Sequence, residues 1–154
     1  ASVFRNLSVR ENLELVLQES PPPGENPSTV ADRLIEDFGL EKIAHVRGYS
    51  LSGGERRRVE IARSLAILPN FLLLDEPFSG IDPIAVYDIQ QIILGLRAKG
   101  YGILLTDHNV RDTLAITDRT YLIHQGKIVI EGSPDEVAES EVARKFYLGE
   151  QFSW

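Results

Sequence analysis

Three short stretches of this chain put reactive side chains at spacings that suit chemistry on an anion. The first is Leu51-Ser52-Gly53-Gly54-Glu55. Ser52 can cap a helix that starts after it, and Glu55, three residues on, can reach back to complete a capping box. The two glycines let the backbone bend so that successive N–H groups point outward, and such a nest at a helix N-terminus receives anions. The second stretch is Asp75-Glu76, directly after the apolar run at 71–74. The third is Asp107-His108, after another apolar run. Adjacent carboxylates repel, so a site that keeps both ionised needs a cation or basic groups beside them. A lone Ser-x-x-Glu is ordinarily just a well-made helix start. The two downstream pairs give this one a chemical reading, as part of a site for a phosphate-bearing nucleotide.

The elements that must position these residues can be read from periodicity. Residues 71–74 and 102–106 are short continuous apolar runs bounded by turns and charge. That is the pattern of strands buried on both faces, as in a parallel sheet covered by helices. In open α/β sheets ligands bind at the carboxyl ends of strands. Asp75, Glu76 and His108 are therefore expected along one edge. A helix over 53–68 carries the Ser52 cap, with Val59, Ala62, Leu65 and Ala66 as its buried side and Pro69-Asn70 as its end. Arg56, Arg57 and Arg58 read as a solvated face, with the alternative that one of them orients a loop or meets a phosphate. Ser79-Gly80-Ile81-Asp82-Pro83 is a turn feeding a helix, with Asp82 as N-cap and Pro83 at the first helical position. Val86, Ile89, Ile93 and Leu96 share one face of that helix, and Gly100 ends it.

The rest of the chain is helical and turn-rich, then ends on a hairpin and short helices. Ser8-Val9-Arg10-Glu11 is a second capping box before Leu13, Val16 and Leu17. This helix ends near Glu19, because Pro21-Pro22-Pro23-Gly24 cannot continue it. A polar loop over 20–28 leads to a helix starting at Ser28 or Thr29, with Val30, Leu34, Ile35 and Phe38 buried and Gly39 as stop. Residues 40–50 form a connection in which His45 reads as surface or packing. Asn109 caps a short helix through Ala115. Residues 119–124 and 127–131 form a hairpin around Gln125-Gly126. Ser133-Pro134-Asp135-Glu136 starts a further helix, and Ser140 precedes a last one reaching about Tyr147. Phe152 and Trp154 either pack back or dock on a partner. The expected fold class is α/β, in three parts at 1–68, 69–132 and 133–154.

Composition narrows the functional classes. The chain has 154 residues, 43% of them hydrophobic and 25% charged, with no cysteine. A packed core is expected, without a disulfide framework, which fits a reducing compartment. The net charge of −7 disfavours broad nucleic-acid binding through a basic surface. No apolar run approaches the roughly 20 residues that span a bilayer, and no signal-peptide pattern opens the chain. Any membrane role is expected to come through a partner.

Order and spacing of the motifs together resemble the ATP-binding subunits of ABC transporters. Leu51-Ser52-Gly53-Gly54-Glu55 resembles their signature. Phe71-Leu72-Leu73-Leu74-Asp75-Glu76 resembles a Walker B strand with its following glutamate, Ser79-Gly80-Ile81-Asp82 a D-loop, and His108 the switch histidine. More narrowly, Thr106-Asp107-His108-Asn109-Val110-Arg111-Asp112-Thr113-Leu114 and Tyr147-Leu148-Gly149-Glu150-Gln151-Phe152 are similar to the ATPases of bacterial lipopolysaccharide export. The resemblance covers nearly the whole chain, with the Pro-rich loop as its main departure.

The resemblance implies a P-loop NTPase-type core joined to a helical signature subdomain. It implies ATP and Mg²⁺ as ligands: Asp75 for the metal, Glu76 and His108 for catalysis, and Ser52, Gly53, Gly54, Glu55 and Asp82 for a nucleotide shared between two subunits. It further implies a homodimer, permease subunits contacting the region of Phe4, Arg5 and Leu7, and a place on the cytoplasmic face of the bacterial inner membrane. None of the four lysines, Lys42, Lys99, Lys127 and Lys145, stands in a G-x-x-x-x-G-K-[ST] pattern, the phosphate cradle of this class. The family's P-loop, adenine-stacking segment and glutamine-bearing loop would precede Ala1. The chain is therefore expected to be the C-terminal part of a longer ATPase and inactive alone. Three other readings stay open: the ATPase of a different ABC transporter, an ABC ATPase of DNA repair or translation, though no tandem cassette or coiled-coil insertion is seen, and a non-catalytic contact module.

Overall fold

The computed structural model describes residues 2–145. In order these form α1 (Val9–Glu19), α2 (Pro27–Asp37), α3 (Gly53–Leu65), β1 (Phe71–Asp75), α4 (Pro83–Ala98), β2 (Gly102–Thr106), α5 (Val110–Leu114), β3 (Thr120–His124), β4 (Lys127–Gly132), α6 (Pro134–Glu139) and α7 (Glu141–Ala143). Single 3₁₀ turns at Glu41–Ile43 and Gly48–Ser50 link α2 to α3. The chain divides after Leu105 into two compact units. The last aromatic residues, Phe152 and Trp154, lie outside the described residues.

The first unit is a helical layer on a small sheet. The expected capping box at Ser8 forms: Ser8 Oγ accepts from Glu11 N–H, and Glu11 Oε2 accepts from Ser8 N–H at 2.6 Å. Leu13 and Leu17 of α1, Val30 of α2 and Val59 and Ile61 of α3 are almost wholly buried. Each such side chain contributes roughly 1.5–3 kcal/mol by leaving water. Helix α2 starts earlier than the sequence suggested. Asn26, not Ser28 or Thr29, is the cap, accepting from Ser28 N–H at 2.8 Å with Pro27 at the first helical position. Pro27 suits that place because its missing N–H would have no partner there anyway. Helix α3 ends at Leu65 rather than Leu68, which turns out of the helix with a φ of 50°.

The strands β1 and β2 are hydrogen-bonded neighbours, and their burial corrects the sequence expectation. Leu72 is buried, whereas Phe71 and Leu73 are 73% and 77% exposed and Leu104 is 57% exposed. Successive side chains of a strand point to opposite faces. One face of this sheet is thus packed and the other is open, where a continuous apolar run had implied two covered faces.

The second unit is built on the β3–β4 hairpin. Gln125 and Gly126 both take positive φ, 48° and 73°, as a two-residue hairpin turn of this hand requires. Thr120 pairs with Gly132 and His124 with Lys127, with a bulge between Leu122 and Ile123. Leu114, Leu122, Val137, Ala138 and Ala143 form the core of this unit. Ser133 and Glu136 make the expected capping box for α6.

Candidate nucleotide site

The signature stretch folds as a capped helix start. Ser52 Oγ accepts from Glu55 N–H at 3.3 Å, and Glu55 Oε2 accepts from Ser52 N–H at 2.8 Å. The glycines also serve packing. Neither Gly53 nor Gly54 has a positive φ. Both allow close approach. A Cβ on Gly53 would lie 3.0 Å from Ile81 Cγ2 and 3.3 Å from Gly80 O, and one on Gly54 would lie 2.5 Å from Ala85 Cβ. The helix start is therefore pressed against the turn at 79–82 and the first turn of α4. The left-handed residue of this pair of loops is Gly80, with a φ of 71°. Asp82 caps α4 as expected: its Oδ1 accepts from Ile84 N–H at 3.1 Å and Ala85 N–H at 3.0 Å. Ser52, Gly54, Glu55, Arg58, Asp82 and Asp88 line a shared cleft of about 210 Å³.

Asp75 closes β1 and Glu76 leaves it, both exposed. Glu76 has a φ of 45°. A non-glycine residue in that region typically costs about 1–3 kcal/mol and persists only where its surroundings enforce it. Pro77 follows and disfavours compact conformations of the residue before it. The turn's carbonyl is held from two directions: Ser79 N–H donates to Glu76 O at 3.2 Å, and Arg57 Nη2 donates to the same oxygen at 3.0 Å. Arg57 is itself braced by Glu60, at 2.8 Å. Of the three arginines read as a solvated face, Arg56 donates to Leu51 O at 3.3 Å, Arg57 reaches Glu76, and Arg58 lines the cleft. The alternative that one of them orients a loop describes Arg57.

His108 belongs to the second unit, two residues beyond the end of β2. Its ring is 68% exposed, with Nδ1 3.8 Å from Asp107 Oδ1. The Asp107 side chain is fully buried, and its Oδ1 accepts from Asn109 N–H at 2.8 Å. Asp107 thus anchors the start of α5, while the imidazole faces solvent.

Two buried polar residues that support the 4–8 segment were missed by sequence reasoning. Asn12 is fully buried in α1. Its Nδ2 donates to the carbonyls of Phe4, Leu7 and Ser8, and its Oδ1 accepts from Phe4 N–H at 2.8 Å. It therefore fixes the 4–8 segment that carries Phe4, Arg5 and Leu7. Arg63 of α3 is 7% exposed, beneath Phe4, with its guanidinium carbon 4.8 Å from the ring centre. Its Nη1 donates to Ser2 O at 2.6 Å, its Nε is buried without an acceptor, and burial pushes its pKa down. Phe4 itself is 48% exposed. Both misses carried a signal: Asn12 lies among Val9, Leu13 and Leu17, and Arg63 among Val59, Ala62 and Ala66, polar residues set on an apolar helical stripe.

The donor set at the strand end can be tested against Mg²⁺. Among the described residues no group of three or more His, Asp or Glu converges as a metal cage. Asp75 and Glu76 offer two carboxylates at one exposed turn. That suits a cation that keeps most of its shell as water and phosphate oxygens, as Mg²⁺ does, and not one needing an all-protein cage.

A family profile described as ABC transporter matches residues 1–79. The Lipopolysaccharide export system ATP-binding protein LptB of Acidithiobacillus ferridurans is 50% identical over 151 residues, 98% of this chain and 63% of that protein. The protein of the same name from Escherichia coli strain K12 is 52% identical over 153 residues, 99% of this chain and 64% of that protein. The chain thus spans a little under two thirds of these relatives. The solved ADP conformation of an ATP-binding cassette of an ABC transporter is 28% identical, with a TM-score of 0.79, over 96% of this chain and 65% of that one. The fold is that of an ABC cassette, and the chain belongs to the ABC transporter family.

Proposed function

We propose that this chain supplies the signature helix, Walker B strand end and switch histidine of an ATP-hydrolysing transporter subunit, and that the transporter exports lipopolysaccharide. The observation that carries the reading is the contact of Gly53 and Gly54 with Gly80-Ile81 and Ala85, which makes the signature cap and Asp82 walls of one cleft. In this reading Ser52, Gly53 and Gly54 present hydroxyl and N–H donors to the γ-phosphate of an ATP on a second ATPase subunit. Glu55 keeps that donor set in place through its bond to Ser52 N–H, and Asp82 works at the junction between the two subunits. Glu76 orients or deprotonates the attacking water, and His108 holds the γ-phosphate or that water. Asp75 holds Mg²⁺, mainly through water. When bound, Mg²⁺ offsets the charge of the phosphate oxygens. Positioning and electrostatics of this kind carry most of phosphoryl transfer.

The lysine-bearing phosphate cradle comes from outside these 154 residues. Permease subunits dock on Phe4, Arg5 and Leu7, which holds the assembly at the cytoplasmic face of the bacterial inner membrane. Among the described residues no helix is long and apolar enough to cross a membrane.

The test is a chimera in which this chain replaces the matching segment of the Escherichia coli relative. We expect it to hydrolyse ATP, and Glu76→Gln to lower turnover by about a hundredfold or more with ATP binding kept. We expect no turnover from the 154-residue chain alone. Near-normal turnover in Glu76→Gln, or turnover by the isolated chain, contradicts the reading.

A further inference from the structure

We infer that Arg57 is a positioning residue that holds the backbone of Glu76 for catalysis, tying the signature helix to the strand-end glutamate. The inference rests on the proposed role of Glu76, but its structural half stands without it. Among the described residues Glu76 is one of three non-glycine residues with positive φ. Gln125 is explained by its hairpin turn and Leu68 by the end of α3. Glu76 alone has no such local reason, and it precedes a proline, which makes the conformation less favourable still. A residue held so is held by its surroundings, and strain of this kind concentrates at functional positions.

The Glu76 carbonyl accepts from Ser79 N–H and from Arg57 Nη2. The Ser79 bond is local to the turn. The Arg57 bond arrives from 19 residues earlier in sequence, on α3. The guanidinium is well suited to this because its fork is planar and fixed. One arm, Nη1, is anchored on Glu60 at 2.8 Å and the other, Nη2, aims at Glu76 O. Arg57 lies five residues beyond Ser52 on the helix whose start forms the signature cap. Any shift of that helix is felt at the Glu76 carbonyl, so the direction of the Glu76 side chain depends on the seating of the signature.

The first measurement is amide hydrogen exchange on the 154-residue chain, which needs no ATPase activity. In Arg57→Gln, the Ser79 amide should exchange about tenfold faster, the factor a net hydrogen bond supports, while the Ile61 and Ala62 amides of α3 keep their rates. Unchanged exchange at Ser79 overturns the inference. Faster exchange at Ile61 and Ala62 as well assigns Arg57 to the fold of α3 and also overturns it. The second measurement uses the chimera. Arg57→Gln should lower kcat about tenfold with KM for ATP within about twofold, and combined with Glu76→Gln it should cost nothing further. A raised KM with unchanged kcat overturns the positioning role. Should the unsubstituted chimera show no turnover, or Glu76→Gln keep it, the ATPase reading fails, and the exchange result alone decides whether Arg57 holds the turn.

Discussion

Replacing Gly54 by alanine is the sharpest test of how the signature is built. Gly→Ala inside a helix ordinarily stabilises by about 0.5–1 kcal/mol, because glycine has more freedom to lose on folding. Gly95, within α4, should behave this way, since a Cβ added there meets no atom within 4 Å. Gly54 should do the opposite. Its Cβ would lie 2.5 Å from Ala85 Cβ, where ordinary carbon contacts are about 3.5–4.0 Å. Both atoms are fixed to backbone, so no rotamer relieves the clash. Helices α3 and α4 must part by about 1 Å, at an overpacking cost of about 1–3 kcal/mol. Less the helix gain, Gly54→Ala should lose about 0.5–2 kcal/mol. Ala85→Gly removes the opposing methyl and by itself costs about 0.5–1 kcal/mol of helix propensity. The double variant should return to within about 1 kcal/mol of the native chain, a coupling of about 1–3 kcal/mol in its favour. Urea unfolding followed by circular dichroism, with amide exchange at Ile61 and Ile89 reporting the first unit, measures all four. A Gly54→Ala chain as stable as Gly95→Ala, or a double variant that is simply additive, refutes the reasoning.

Two further outcomes can be measured on the same chain. Arg63→Met keeps much of the side-chain volume and removes a desolvated charge, so its stability should lie within about 1 kcal/mol of native or above it, while Arg63→Ala opens a cavity under Phe4 and should cost about 2–4 kcal/mol; a Met variant as damaged as the Ala one shows that the guanidinium itself matters. The carboxyls of Glu11 and Glu136 are held below their ordinary value of 4.5 by hydrogen bonds from Ser8 and Ser133. Their contribution is full above pH 4.5 and is lost as pH falls through the depressed values. The chain with both Glu11→Gln and Glu136→Gln should therefore lose stability less steeply between pH 5 and pH 3, about the carboxylate range, and an unchanged slope in the urea midpoint contradicts the assignment.

The parts of the fold that could be read from sequence were those with local causes. Ser8, Ser52 and Ser133 each announced a capping box because both members lie within four residues. Asp82-Pro83, Gly39, Gly100 and Gln125-Gly126 worked the same way. What depended on distant neighbours was harder. An apolar run such as 71–74 reports affinity for a core, not how many faces the core covers, so the exposure of Phe71 and Leu73 had no local sign. The start of α2 was set by Asn26 because Pro27 can take the first helical position, while composition pointed to Ser28. Arg57 looked like its two neighbours, and only its bond to the Glu76 carbonyl, 19 residues on, distinguishes it.

The glycines of the signature show what local reasoning leaves out. Read along the chain, Gly53-Gly54 after a capping serine suggests backbone freedom, and freedom would open the N–H groups. In space both glycines are ordinary helical residues, and their missing side chains are what matters. They let α3 sit against Gly80, Ile81 and Ala85, so the helix start and the Asp82 turn cannot move independently without opening a gap or a clash. Arg57, about one turn further on, then fastens the same helix to Glu76. One continuous stretch, 76–85, is thereby fixed to one helix at two places. A ligand that seats on the Ser52 cap bears on the helix that carries Arg57, and through it on the strained peptide at Glu76. That linkage needs no flexible relay, because a helix of 13 residues whose start and side are both clamped moves as a body or not at all.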